Sequence, residues 1–418
     1  MVPKTQKTIF VIFGATGDLA TLKIFPALSE LRKKSEHLGA RSRSEAHKRQ
    51  DARFSVVAVS RRPWSDDDFR NFLGTKYDKK FLENIFYKQV FFDSCTGAPE
   101  LKKFLKTFGP AKFIFYVSMA PTLYETALRC MKKNSLLSVG DSKILIEKPF
   151  GLDLKSSRKL NNLAISFLEH KQIYRVDHYL GKDALRSITE IHEKSDLLSN
   201  IISNKTVASI CVKIFEPFGI KDRGASYDAV GALRDIGQNH ILQMLAAISM
   251  MPPQMRYSRA RSLSPLLRAH KRENISSAAA WHNARAKVVE TLDISQKTKI
   301  RRGQYAGYTK EKNVSENSQT ETFFSIESYF KDGKLKGVPV VLESGKKMKE
   351  QKASIEVKFK NGESLEIPVT GEAYEHILES AIADRREFFV GSREIFAAWK
   401  FVDSLAKRLK KSKLEIYK

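Results

Sequence analysis

Four short stretches hold residues whose types and spacing could do chemistry. Gly14-Ala-Thr-Gly17 follows the apolar run Thr8–Phe13 and opens a segment with Leu19, Leu22, Leu28 and Leu31 at roughly helical spacing. Glycines at such a strand-to-helix turn let the backbone approach a pyrophosphate, and the helix N-terminus offers N–H groups with partial positive charge. Tight turns also use glycine for backbone reasons alone, so this pair by itself leaves both readings open. A second apolar run, Phe54–Val59, ends at Ser60-Arg61-Arg62, with no Asp or Glu there to hold a ribose 2′-hydroxyl. An arginine at that point suits a 2′-phosphate, which favours NADP over NAD. The same pair also serves as a solvated basic surface.

The third stretch, Tyr174-Arg-Val-Asp-His-Tyr-Leu-Gly-Lys182, gathers a carboxylate, an imidazole, a phenol and an ammonium. His178, Tyr179 and Lys182 can each donate to phosphate oxygens and together form a clamp; clusters of this composition also build ordinary polar turns. The fourth, Arg234-Asp-Ile-Gly-Gln-Asn-His240, sets His240 on a helix among Ile241, Leu242, Met244 and Leu245. A lone histidine beside apolar neighbours is commonly a satisfied core residue. Oxidising an alcohol by hydride transfer needs a base for the hydroxyl proton, however, and an imidazole supplies one at neutral pH. Asp235 lies about one and a half turns before it, with polar Gln238 and Asn239 between.

The elements around these stretches define the fold class. Strand-like runs at Thr8–Phe13, Phe54–Val59, Lys112–Val117 and Lys143–Ile146 alternate with helical segments, which predicts a parallel sheet covered on both faces. Pro26 is expected to kink or interrupt the first helix. Beyond about residue 175 the pattern changes. Ala208–Phe215, Thr322–Tyr329 and Ala353–Phe359 read as strands, and Lys360-Asn-Gly362 reads as a hairpin turn into Ser364–Val369. Helices are expected at Leu233–Ser249 and Glu375–Phe389. The expected organisation is therefore an α/β, Rossmann-like dinucleotide-binding domain over residues 1–175 and an α+β domain with a large, mainly antiparallel sheet over residues 176–418.

Composition narrows the class further. The 418 residues carry 42% hydrophobic and 29% charged side chains, ordinary values for a globular enzyme with two cores. Three widely spaced cysteines, Cys95, Cys130 and Cys211, form no CxxC pair and argue against a disulfide framework or a zinc site. They suit a reducing cytosol. Lys4 and Lys7 ahead of Ile9–Ala15 superficially resemble a secretory signal, but Asp18 follows at once and a first strand is the better reading. No run reaches membrane-spanning length. The excess of 73 Lys+Arg over 47 Asp+Glu gives a formal charge of +26, concentrated at Arg41–Arg53, Arg256–Arg272 and Lys407–Lys413. Such a field attracts phosphorylated metabolites or nucleic acid. The runs lack the interleaved aromatics of a single-strand platform, so a basic solvated surface is favoured over a nucleic-acid partner.

Taken together the motifs resemble the glucose-6-phosphate dehydrogenase family. They are Gly14-Ala-Thr-Gly-Asp-Leu-Ala20, Ile146-Glu-Lys-Pro-Phe-Gly151, Arg175-Val-Asp-His-Tyr-Leu-Gly-Lys182, Phe215-Glu-Pro-Phe-Gly219 and Arg234-Asp-Ile-Gly-Gln-Asn-His-Ile-Leu-Gln-Met244, followed by Gly303-Gln-Tyr305, Gly345-Lys346 and Tyr374-Glu375. They run in the family's order over most of the chain. The resemblance implies oxidation of glucose 6-phosphate at C1 to 6-phosphoglucono-1,5-lactone, with hydride passing to NADP, at the entry of the oxidative pentose phosphate pathway. It implies that His240 takes the C1 hydroxyl proton and that Asp177 orients the imidazole and stabilises its cation, which requires the fold to bring the two together. His178, Tyr179 and Lys182 would hold the sugar phosphate. Glu216, Asp235 and Lys346, with Lys352 nearby, would bond the sugar, and Lys148 would bridge substrate and cofactor. Gly14, Thr16, Gly17, Asp18, Leu19, Lys23 and Arg61 would line the dinucleotide site, with Ser118, Met119 and Pro121 beside the nicotinamide. No metal is implied. A homodimer through the C-terminal sheet is.

The sequence departs from the family at three places. Only Lys347–Gly371 and its flanks separate Gly345-Lys346 from Tyr374-Glu375, where the family has several tens of residues more, so the C-terminal sheet is expected to be trimmed. Ala120 stands where the family commonly has the first of two prolines. Lys33–Arg53 and Gln254–Ala286 match poorly. Two further readings compete with the first. One is a broader hexose-6-phosphate dehydrogenase using NAD or NADP. The other is a catalytically silent, basic binding protein on the same fold, against which the intact Asp177, His240, Lys148 and phosphate clamp speak.

Overall fold

The computed structural model describes residues 7–41, 54–253 and 278–418. These fall into two compact units. The first comprises Met1–Gly151, Lys155–Gly181 and Glu372–Phe389; the second comprises Leu152–Leu154, Lys182–Gly371 and Val390–Lys418. A single cut between 175 and 176 therefore gives way to a boundary that the chain crosses repeatedly. The segment that returns to the first unit carries Ile377, Leu378, Ala381, Phe388 and Phe389, all buried in that unit's apolar core.

The first unit is built on six strands: β1 (Lys7–Phe13), β2 (Phe54–Ser60), β3 (Ile85–Gln89), β4 (Ala111–Val117), β5 (Asp141–Glu147) and β6 (Ile173–Val176). They pair in the order β3-β2-β1-β4-β5-β6, parallel throughout. Every residue of β2 and β4 is buried, as strands covered on both faces require. β1 lies between β2 and β4, so the order reverses direction there. A crevice for ligands opens beyond the carboxyl ends of the strands at such a point. The helical segment changes register just ahead of Pro26: a widened π-type turn, Ala20–Ile24, gives way to the α-helix Phe25–Arg41, which carries the proline in its first turn.

The returning segment is fastened by charge as well as by apolar packing. Lys112 on β4 donates to Ile382 O at 3.0 Å, and Lys143 on β5 donates to Ala381 O at 2.8 Å, so both ammonium groups cap the last carbonyls of the helix Tyr374–Ile382. The Asp384 carboxylate accepts from Lys112 at 2.9 Å, from Lys143 and from the Tyr174 hydroxyl at 2.8 Å. The expected helix Glu375–Phe389 thus ends at Ile382, and a short 3-10 turn, Arg386–Phe388, follows.

The second unit holds seven strands: β7 (Val207–Glu216), β8 (Lys299–Tyr305), β9 (Phe323–Tyr329), β10 (Pro339–Lys346), β11 (Lys352–Phe359), β12 (Ser364–Pro368) and β13 (Leu414–Tyr417). Their order is β12-β11-β7-β10-β9-β8-β13. Most neighbours are antiparallel; β10 with β7 and β13 with β8 are parallel. The short interval after Lys346 folds as the β11–β12 hairpin, with Gly362 at φ +92° in its turn.

One expectation from composition is modified. Cys95 and Cys130, 35 residues apart, are bonded to each other with Cα atoms 5.6 Å apart, while Cys211 is free; this is one bridge where the spacing argued against any framework. The basic runs at 42–53 and 256–272 lie outside the described residues. In the third run, Arg408 spends its guanidinium on Ser295 O and Thr298 O, at 2.7 and 2.6 Å. Among the described residues no helix is long and apolar enough to cross a membrane.

Candidate active site

In the first unit the glycine turn sits at the end of β1. Gly14 and Ala15 donate to Val59 O, and Gly17 donates to Gly14 O, which folds the loop tightly back on β2. Gly14 has φ +74°, and a Cβ there would meet Ser118 O at 2.2 Å and the Met119 side chain at 2.9 Å. Only glycine fits a backbone held this close to the end of β4. The bare, concave turn ahead of a helix matches what a dinucleotide phosphate needs. Ser118 is buried beside it, and Ala120 precedes the short turn Pro121–Leu123. Thr16, Asp18 and Leu19 line the same turn, and Asp18 is exposed. Lys23 binds the Glu372 carboxylate at 3.2 Å. Arg61 stands exposed just beyond β2, where its backbone carbonyl accepts from Gln89; Arg62 lies over the Trp64 ring at 4.8 Å.

The same unit carries Asp177, His178 and Tyr179 at the end of β6. Asp177 is 1% exposed and accepts the Tyr179 backbone N–H at 3.0 Å, which turns the chain sharply after the strand. The His178 ring stacks on Tyr374 with centroids 5.4 Å apart and planes 15° apart. Lys148 follows Glu147 and precedes a cis proline. Glu147 is a buried acid that sequence reasoning quoted within a motif without assigning it a role. It accepts from Tyr116 at 2.6 Å, and burial pushes its carboxyl up to about 7, opposed by that hydrogen bond and by Lys148. The available signal was an ionisable residue directly after the apolar run Ile144–Ile146.

In the second unit His240 lies on a wide π-type turn, Leu233–Ile241, that runs into the α-helix Leu242–Ser249. Such insertions recur at functional sites because they re-aim side chains. The turn is pinned at its start by Glu321, whose carboxylate accepts the Leu233 N–H at 3.2 Å and whose carbonyl accepts the Ala232 N–H at 3.0 Å. Burial raises the Glu321 carboxyl above its ordinary range. Gly237 lets the turn lie against the sheet, since a Cβ there would meet the Phe324 ring at 2.8 Å. Next to the buried His240, Asn239 accepts the His240 N–H at 2.7 Å and donates to Asp235 O at 3.0 Å.

The sugar-binding candidates of this unit converge in part. Lys346 on β10 is the register partner of Glu216 on β7 and forms an ion pair with it, and Asp235 lies 3.8 Å from the same ammonium. The Tyr227 ring lies 5.3 Å beneath it. Lys182 donates to Gly371 O at 2.8 Å. Lys352 does not join the cluster. Its partner on β7 is Phe215, one residue before Glu216, and alternation sends its side chain to the opposite face of the sheet. There it pairs with Glu366 at 2.6 Å.

A parallel sheet with a glycine turn at its switch point defines a nicotinamide-dinucleotide oxidoreductase fold, here joined to a second unit with its own polar cluster. Two family models match: "Glucose-6-phosphate dehydrogenase, NAD binding domain" over residues 11–187 and "Glucose-6-phosphate dehydrogenase, C-terminal domain" over residues 192–368. The chain is 31% identical to a glucose-6-phosphate 1-dehydrogenase of Helicobacter pylori, covering 94% of this chain and 92% of the relative. It is 32% identical to that of Bacillus subtilis, covering 85% and 71%. In fold it resembles a solved glucose-6-phosphate dehydrogenase in complex with its substrate glucose-6-phosphate, with a TM-score of 0.80, 23% identity and coverage of 100% and 95%. The chain belongs to the glucose-6-phosphate dehydrogenase family.

Proposed function

We propose that this protein oxidises glucose 6-phosphate at C1 to 6-phosphoglucono-1,5-lactone, the entry step of the oxidative pentose phosphate pathway, in the cytoplasm. His240 accepts the proton of the C1 hydroxyl, and Asp177 holds the imidazole in the tautomer that can do so and stabilises the cation that results. His178, Tyr179 and Lys182 bind the phosphate through charge-assisted hydrogen bonds. Glu216, Asp235 and Lys346 orient the sugar hydroxyls, and Lys148 holds substrate and cofactor in register. NADP, when bound along the Gly14–Gly17 turn with its 2′-phosphate at Arg61, supplies the hydride acceptor. Thr16, Asp18, Leu19 and Lys23 border that turn, and Ser118, Met119 and Pro121 border the nicotinamide end.

The observation that carries this reading is the Glu216–Lys346–Asp235 cluster, in which a carboxylate and an ammonium on one face of the sheet meet a second carboxylate from the π-type turn that also carries His240. Such a set is matched to the vicinal hydroxyls of a sugar. Lys352, paired away on the other face, is left out of the substrate set. Two copies associate through the sheet of the second unit, as the family resemblance implies. The test is a rate measurement: purified protein with glucose 6-phosphate should reduce NADP faster than NAD at equal concentration. Absence of turnover with either dinucleotide would overturn the assignment, and equal rates would overturn the cofactor preference. Light scattering of the purified protein checks the dimer.

A further inference from the structure

Gly303, Gln304 and Tyr305 on β8 have no part in the chemistry above, yet all three serve one spot beside Lys346. Tyr305 donates its backbone N–H to the Thr322 hydroxyl at 2.9 Å, and Gln304 steadies the chain leading to Thr322 by donating to Ser318 O and Thr320 O at 3.1 and 3.0 Å. The Thr322 hydroxyl meets the Tyr417 hydroxyl at 2.8 Å, and Tyr417 donates to Lys346 O at 2.7 Å. A hydroxyl has one proton, and that of Tyr417 is spent on Lys346 O. Thr322 therefore donates to Tyr417, and the bonds run in one direction from Tyr305 N–H to Lys346 O. Lys346 N–H in turn donates to Thr322 O at 3.0 Å, so Thr322 and Tyr417 grip both polar groups of the Lys346 backbone. Gly303 makes room for the ring that does this: a Cβ there would meet Tyr417 Cδ1 at 3.0 Å.

The grip falls where the chain changes direction. Lys346 is the last residue of β10, and Lys347 after it adopts φ +50°, a conformation that a residue with a side chain keeps only where its surroundings impose it. Tyr417 comes from β13, which lies parallel on β8 and accepts the Ala306 N–H at Tyr417 O, 2.8 Å away. We propose that Tyr417 is a positioning residue: through its hydroxyl, β13 fixes the Lys346 backbone and with it the place of the ammonium between Glu216 and Asp235. The inference rests on the reading of that cluster as the sugar site. No contact with the sugar is asked of Tyr417. Its effect passes through Lys346, so losing the hydroxyl changes how the sugar is held and leaves the dinucleotide alone.

The test uses the full chain and compares Tyr417→Phe, Lys346→Met and the double variant with the unaltered protein, reading KM for glucose 6-phosphate, KM for NADP and the denaturant midpoint. Tyr417→Phe keeps the ring and loses the hydroxyl. It is expected to raise KM for glucose 6-phosphate by roughly three- to tenfold, the equivalent of one neutral hydrogen bond, with KM for NADP in place. In the Lys346→Met background the same change should leave the sugar KM where it is, because the group being positioned is gone. A tyrosine that served stability alone would lower the midpoint in both backgrounds and move neither KM. A sugar KM unchanged by Tyr417→Phe, equal changes in both KM values, or a rise of the same size in the two backgrounds overturns the proposal. If Lys346→Met does not fold, Gly303→Ala decides: it displaces the Tyr417 ring and must raise the same KM. Failure of the unaltered protein to oxidise glucose 6-phosphate, or a Lys346→Met variant with an unaltered sugar KM, would sink the reading of the site itself, and is recognised separately.

Discussion

Lys346 and Glu216 stand opposite each other on neighbouring parallel strands, ammonium to carboxylate, with the lysine side chain only 2% exposed and Asp235 close by. One cation thus holds two carboxylates in place on the buried side of the sheet. Removing it leaves two like charges facing each other in a poorly solvated site. Lys346→Met is expected to lower stability by about 3 kcal/mol, read from denaturant midpoints, and to raise KM for glucose 6-phosphate. Lys352→Met, on the opposite face, should leave that KM unchanged.

His240→Asn retains a side chain of similar size without a titratable base. It should lower kcat by about 10²–10⁴-fold while glucose 6-phosphate still binds, as an isotherm with the inactive variant would read. Wild-type kcat in this variant would remove His240 from the mechanism.

At Gly14 a methyl group has no room and the backbone is left-handed. Gly14→Ala is expected to cost about 1–3 kcal/mol of strain and to weaken dinucleotide binding, measured by fluorescence titration with the reduced cofactor. Gly17→Ala is the internal comparison: its Cβ would meet Gly14 O at 3.3 Å, a contact that a small shift relieves, so the loss there should be smaller.

Arg61 lies exposed beyond the end of β2, free of any neighbouring carboxylate in its own motif. Losing one charge-assisted contact to a 2′-phosphate corresponds to about 1.5–3 kcal/mol. Arg61→Ala should therefore lower the ratio of kcat/KM for NADP over NAD by roughly ten- to a hundredfold. An unchanged ratio would show that the 2′-phosphate is held elsewhere.

Asp384 links two buried lysines to the returning segment, and their hydrogen bonds, with that of Tyr174, outweigh desolvation and hold its carboxyl below the ordinary range. A depressed folded-state pKa contributes stability that is present above the unfolded-state value and is lost as the pH falls through the folded one. Asp384→Asn should accordingly destabilise the protein at neutral pH, and the gap between the two melting curves should close on acidification below the normal carboxyl range. A gap that persists in acid would assign the loss to packing.

Much of the first unit was legible from local pattern. The apolar runs at β1, β2, β4 and β5 sit within a residue or two of their expected bounds, because buried parallel strands announce themselves as uninterrupted apolar stretches. β3 and β6 were not read: Ile85-Phe-Tyr-Lys-Gln mixes polar residues into five positions, and Ile173–Val176 was absorbed into the reading of a polar cluster. The helix around His240 was expected, but its π-type register was not, since a 3.6-residue period cannot reveal an extra residue per turn. Lys352 stands on the other face of the sheet from Lys346, because proximity in sequence does not determine which face of a strand a side chain takes; the pairing with Phe215 does. The return of residues 372–389 to the first unit depends on contacts with Lys112 and Lys143, more than two hundred residues earlier in the chain, and nothing local in the segment signals it.

That return bears on how the molecule can be made. Ribosomal synthesis ordinarily lets an N-terminal domain fold as soon as it emerges, but here the nucleotide-binding core lacks Ile377, Leu378 and Phe389 until some two hundred residues beyond its last strand have been translated. A nascent chain stopped near Gly181 would expose the apolar surface those side chains cover, together with the two lysines waiting for a helix end. Neither half is a module that can be excised or shuffled at a single junction, and maturation of the two units is coupled by the order of the gene.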